Sequence, residues 1–154
     1  MNIIKPIFHQ LEVANHYILK ILEIMEESDL ELSLGAEKRT LRELLAHLAV
    51  IYKADFMILN GATQQEMEEF YEKHHPQTIA EIKEMLLVHF AFLKEKTACF
   101  SNEDWSVVTT SWWGVSYSRY EWMLEILGHV YHHRGQLQTV LAINSRDPKI
   151  QLFE

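Results

Sequence analysis

Apolar residues recur at helical spacing along most of the chain, and the stretches that carry them open with recognisable start signals. Leu41, Leu44, Leu45, Leu48, Tyr52 and Leu59 fall on one side of a helix expected at about 40–60. Met123, Ile126, Leu127, Val130, Leu137, Leu141 and Asn144 do the same in a helix expected at about 118–144, in a stripe centred near Val130. Further long helices are expected at about 3–27 and 78–100, with a shorter one near 64–73. A Ser or Thr followed three residues later by Glu can satisfy two unpaired backbone donors at once. That pattern occurs at Thr40/Glu43, Thr63/Glu66, Thr78/Glu81 and Ser118/Glu121. The first helix opens differently, with Pro6 tolerated in its first turn.

Gly35, Gly61, Pro76 and Gly114 fall between these stretches, and Pro148 follows the last. No segment reads as a strand; residues 107–117, with their Val, Thr and Trp, are expected to form a short extended loop. The pattern predicts one all-α domain over residues 1–154, built as a four-helix bundle.

Composition narrows the function classes. With 48% hydrophobic and 23% charged residues, the chain has enough apolar surface to fold. Nothing reads as a signal peptide, and the longest apolar stretch, 85–93, is interrupted by His89 and too short to span a bilayer. A cytoplasmic protein without a membrane partner is expected. The single cysteine, Cys99, excludes an internal disulfide and a cysteine-based zinc site, and is expected to be a buried structural thiol. A net charge of −8 with no basic run makes nucleic acid an unexpected partner.

The histidines change the picture. At about 100° per residue, His129 and His133 project along one border of the last helix's apolar stripe, whereas His132 points to solvent. His47 occupies the equivalent border of the second long helix, beside Ile51. Two imidazoles from one helix and one from another can make a three-nitrogen face for a divalent transition metal, with coordination positions left open as in catalytic sites. Spacing alone leaves open the reading in which these rings are hydrogen-bonded core residues.

The segments TLRELLAHLAVIYKAD and LGHVYHHRGQLQTVL, joined through a tryptophan-bearing loop, resemble the DinB/YfiT-like superfamily of metalloenzymes. The most specific part is the ending H-x-x-x-H-R-G-Q, here His129 to Gln136, together with one upstream helical histidine, His47. The resemblance implies a four-helix bundle in which His47, His129 and His133 bind one divalent ion, nickel or zinc. It also implies chemistry on a small molecule. Relatives in the superfamily include transferases and isomerases that use low-molecular-weight thiols such as bacillithiol or mycothiol. Thiol S-transfer is therefore expected ahead of metal-assisted hydrolysis, and a non-catalytic metal- or ligand-binding stress-response protein is the alternative.

No catalytic acid or base stands out. Glu43 lies one turn before His47 but belongs to a capping box, and Tyr52 falls in the core stripe. Gln136 continues the border beyond His133 and could hydrogen-bond a ligand, while Arg134 is expected in a surface or inter-helix ion pair. Trp112 and Trp113 could wall a pocket or close the core. His9, His16 and His89 are expected to be structural, and His74 and His75 to be exposed loop residues. Finally, Gly128, His132, Gly135, Thr139 and Ala142 share the face of the last helix opposite the core, which suggests a homodimer through that face.

Overall fold

The computed structural model describes residues 4–151 and Phe153, so the expected helix start at residue 3 lies outside the described residues. The elements run α1 (Lys5–Ile24), a 3-10 turn (Glu27–Glu31), α2 (Leu41–Leu59), α3 (Gln64–Lys73), α4 (Ile79–Ala98), α5 (Asn102–Trp105), β1 (Val108–Thr110), β2 (Ser116–Ser118) and α6 (Arg119–Ile143). All four predicted capping boxes form. At α2, Glu43 Oε2 accepts the Thr40 N–H at 2.9 Å while Thr40 Oγ1 accepts the Glu43 N–H at 3.3 Å. Two more boxes close with Asp instead of Glu. Ser101/Asp104 starts α5, and Glu26/Asp29 starts the 3-10 turn. The second explains why α1 is shorter than predicted: Met25 leaves the helix with ψ 147°, and the chain restarts on Asp29.

These boxes set an acid limit on the fold. Backbone N–H bonds from Thr63, Gln77, Ser118 and Ser101 hold the carboxyls of Glu66, Glu81, Glu121 and Asp104 below their ordinary values. Burial would raise Asp29, but bonds from Arg146 and the Glu26 N–H outweigh it and lower that group too. The folded chain thus releases these protons at lower pH than the unfolded chain. Their stabilisation is complete above the ordinary values of 4.5 for Glu and 3.8 for Asp, and is lost as pH falls through the lowered ones. The thermal midpoint, followed by circular dichroism, is expected to fall below about pH 4.5. Glu121→Gln, which can keep the reciprocal bond without titrating, is expected to lessen that fall. An unchanged acid slope in the variant would contradict this.

Helix α2 sits at the centre, packed against α4 and α6, while α1 packs on α6 and α4. Its predicted stripe is buried throughout, and Val50, Ile51, Ala54 and Ile58 join it because neighbours cover more than one face. On α6 the buried arc is turned by about 20° toward the histidine side of the predicted stripe. Trp122, His133 and Val140 are buried there, whereas Leu127 is half-buried.

Several expectations are corrected. Residues 107–117 are not strand-free: Val108–Thr110 and Ser116–Ser118 pair antiparallel in register Val108↔Ser118, Thr109↔Tyr117, Thr110↔Ser116. The turn closes through Ser111, whose N–H donates to the Val115 carbonyl at 2.8 Å, and through Gly114 at φ +93°, a left-handed conformation that favours glycine. Cys99 is exposed rather than buried, because it caps the C-terminus of α4 where the chain leaves the bundle. Arg134 is buried, not a surface residue; its guanidinium lies 4.4 Å from the centre of the Tyr131 ring, and Nε and Nη1 lack partners. Stacking on an aromatic face takes the place of the expected ion pair. His9 and His16 are exposed. His74 is half-buried, its ring stacked on Phe70 at 4.1 Å between centroids. Gly128 and Gly135 do not make room for a neighbour within the chain, since a Cβ on either would meet nothing within 4 Å.

Candidate metal centre

The bundle brings the three border histidines together. His47 comes from the middle of α2, and His129 and His133 from consecutive turns of α6. The His47 and His129 Nε2 atoms are 3.1 Å apart, and ligand atoms of all three rings lie within 4.8 Å of one another. Ring centroids are separated by 4.8 Å for His47–His133 and His129–His133, and by 5.1 Å for His47–His129. Two nitrogens sharing an ion at about 2.0–2.1 Å stand roughly 2.9 Å apart at a right angle and about 3.4 Å apart at the tetrahedral angle. The observed 3.1 Å between His47 and His129 lies between these, so this pair is spaced as two ligands of one divalent ion would be.

The outer nitrogens are committed elsewhere. His129 Nδ1–H donates to Asp55 Oδ2 at 2.9 Å, and His133 Nδ1–H to Gln136 Oε1 at 2.7 Å. Each bond fixes the tautomer that leaves the Nε2 lone pair free, which is how metal-binding imidazoles are oriented. The Gln136 amide nitrogen donates onward to His132 Nε2 at 3.0 Å, so His132 braces the arrangement without reaching its centre. His89 is occupied elsewhere, its Nδ1 bonded to the Ala49 carbonyl at 3.0 Å. Glu43 caps α2 as expected, and Tyr52 is buried against Phe90.

Electrostatics separate the three rings. Burial, then the positive charges that His133, His129 and Arg39 would add, lower the His47 pKa to about 4. His133 is also lowered, with burial and nearby His129, His132 and Arg39 outweighing its bond to Gln136. For His129 burial acts in the same direction, but the hydrogen bond and charge of Asp55, with the charge of Glu125, raise it above 6.5. Two of the three rings are therefore kept neutral, and the third is made electron-rich by a carboxylate.

Asp55 is the residue the sequence reading missed. It lies on α2 two turns beyond His47, and its partner is 74 positions away. The local sequence offered little signal, since α2 also carries Arg42, Glu43 and Lys53. Asp55→Asn is expected to weaken metal binding by about 10–100-fold, measured by chelator competition, with the unfolding midpoint of the metal-free protein little changed. Unchanged affinity would show that the carboxylate does not support the site.

Each ring opens on a different depression. A pocket of about 320 Å³ against His129 is walled by Trp112, Trp113, Trp122 and Tyr71, with Asp55 and Glu125 at its border. The hairpin tip therefore serves as pocket wall, pinned through Trp113 and Tyr117 onto the buried Trp122 at 6.2 and 4.8 Å between ring centroids. A groove of about 430 Å³ lies against His47, and a smaller depression of about 220 Å³ against His133. Among the described residues, no helix is long and apolar enough to cross a membrane.

Comparison with known proteins agrees with this architecture. The family model of the DinB superfamily matches residues 10–137. A DinB-family protein from Exiguobacterium sibiricum is 29% identical, with 99% of each chain covered and a TM-score of 0.85. A DinB-like protein from Bacillus cereus shares the fold at 15% identity, with 96% of this chain and 97% of that one covered and a TM-score of 0.76. A mycothiol-dependent maleylpyruvate isomerase also shares it, at 13% identity and TM-score 0.70, over 87% of this chain and 60% of that one. Among curated proteins, none matches the sequence.

Proposed function

Because the chain belongs to the DinB superfamily, we propose that it is a metal-dependent enzyme that transfers a low-molecular-weight thiol onto an electrophilic small molecule. The observation that carries this reading is the convergence of His47, His129 and His133, with His129 at the border of an aromatic pocket and two of the rings oriented from behind by Asp55 and Gln136. A divalent ion held there, nickel or zinc, supplies a positive charge that favours the thiolate over the thiol. The remaining work falls to the chain. Asp55 and Gln136 keep the ligating lone pairs forward, and the tryptophans exclude water from the acceptor. Glu125, raised by burial and by the charge of Asp55, borders the same pocket and takes the thiol proton. A sulfur–carbon bond then forms as the bond to the leaving group breaks, and the leaving group departs with the electron pair. The fold shared with a mycothiol-dependent enzyme supports thiol chemistry over hydrolysis.

We place this activity in the cytoplasm, where thiols are kept reduced, and in a homodimer formed through the outer face of α6. There, Gly128 and Gly135 leave open space beyond the backbone. Light scattering of the wild type against Gly135→Leu tests the dimer. For the reaction, untagged protein is assayed for metal by elemental analysis. It is then loaded with zinc or nickel and incubated with bacillithiol or mycothiol and 1-chloro-2,4-dinitrobenzene. Metal-dependent conjugate, seen by mass spectrometry, is the expected result. Metal binding without turnover of this or other electrophiles would favour a binding protein, and thiol-independent ester cleavage a hydrolase.

A further inference from the structure

Charge is divided unevenly around the three histidines. The chain carries a net charge of −8, yet the sides facing His47 and His133 are lined by cations. Arg39 and Arg42 border the groove against His47, and Lys38 and Arg39 the depression against His133. The one carboxylate in the groove, Glu43, is engaged by the Thr40 N–H at 2.9 Å, and the depression has none. Arg42 is itself occupied, by Glu31 and by the Gln77 carbonyl. Arg39 is different: among the described residues no hydrogen bond or ion pair holds its guanidinium, and it is the one cation common to both openings. On the far side the pocket against His129 reverses the character, with three indoles and the carboxylates of Asp55, Glu68 and Glu125. Tyr71 lines both this pocket and the groove, so the two share a wall.

We infer that the site takes two reactants of opposite character: a thiol bearing a carboxylate that Arg39 receives, and an apolar, aromatic acceptor held by Trp112 and Trp113. The inference rests on the transfer reading for the assignment of roles, although the two binding ends stand on geometry and charge alone. A guanidinium without a partner can pair bidentately with a carboxylate. The acidic border of the aromatic pocket repels the same carboxylate, so the orientation is fixed by attraction at one end and repulsion at the other. An aromatic acceptor gains flat apolar contact from the exposed hairpin-tip indoles without displacing any bond they make.

The test uses the zinc-loaded full chain and three stable conjugates. S-benzyl-N-acetylcysteine carries both ends. S-benzyl-N-acetylcysteamine lacks the carboxylate, and S-methyl-N-acetylcysteine lacks the ring. Calorimetric titration is expected to give the first an affinity about tenfold above either of the others, the scale of one charge-assisted contact against the second and of one aromatic contact against the third. Arg39→Gln should erase the advantage of the carboxylate and spare that of the ring. Trp113→Ala should do the reverse, and zinc content should be unchanged in both. A carboxylate advantage that survives Arg39→Gln, as direct binding to zinc would give, overturns the inference. So does a ring advantage that survives Trp113→Ala, or no measurable binding of the double conjugate at millimolar concentration. The expected pattern in a protein that never turns over would refute the transfer reading alone. Turnover without dependence on Arg39 in these titrations would refute this inference alone.

Discussion

His129→Ala is expected to empty the metal site at a chelator concentration that leaves the wild type loaded, with affinity reduced by well over a hundredfold. The estimate follows from the supporting residues: losing a group that merely orients a ligand costs about 10–100-fold, and losing the ligand removes both its bond and that orientation. His129 is the ring with the strongest backing, since Asp55 accepts from its Nδ1 at 2.9 Å. Its removal also leaves the Asp55 carboxylate, only 14% exposed, without that partner. His47→Ala and His133→Ala are expected to release the ion as well. His132→Ala removes only the brace beyond Gln136, 3.0 Å from the amide nitrogen, and should retain metal. Elemental analysis after dialysis against a mild chelator distinguishes these cases, and equal retention in all four variants would end the assignment.

The second large effect lies in the core. Leu45 is fully buried on α2, the helix that packs against both α4 and α6. Truncating a leucine in such a place removes its transfer energy and leaves a cavity that two neighbouring helices cannot easily fill, at a cost of about 2–5 kcal/mol. Set against a total stability of about 5–15 kcal/mol, Leu45→Ala is expected to lower the thermal midpoint by roughly 4–20 °C. Leu87 on α4 is 50% exposed and provides the control, since Leu87→Ala should move the midpoint little. Urea unfolding gives the same comparison, and comparable losses in the two variants would mean that α2 does not organise the core.

Legibility in the sequence followed the range of the interactions involved. Capping boxes such as Thr40/Glu43 span three residues, so their chemistry is complete within the local sequence, and every predicted box formed. His129 and His133 share a border through helical period alone, and Gln136, three residues on, could be placed with them. Asp55 could not. Its pairing with His129 depends on how far α2 slides along α6, which neither helix's own period specifies. The hairpin was hidden for another reason: its strands are three residues long, too short to display an alternating pattern around two tryptophans. Arg134 was expected in a surface or inter-helix ion pair, whereas its flat guanidinium found the Tyr131 ring.

The distribution of the three histidines along the chain also bears on the order in which the site can assemble. His47 and His129 are separated by 82 positions, and His133 follows four residues later. During synthesis the first ligand emerges long before the others, and a chain still short of α6 presents a single imidazole on α2. Tight capture of an ion by all three rings would require α6 to have been made and to have docked on α2. Any ion held by these three rings would therefore enter only with the closing of the bundle, when α6 meets α2.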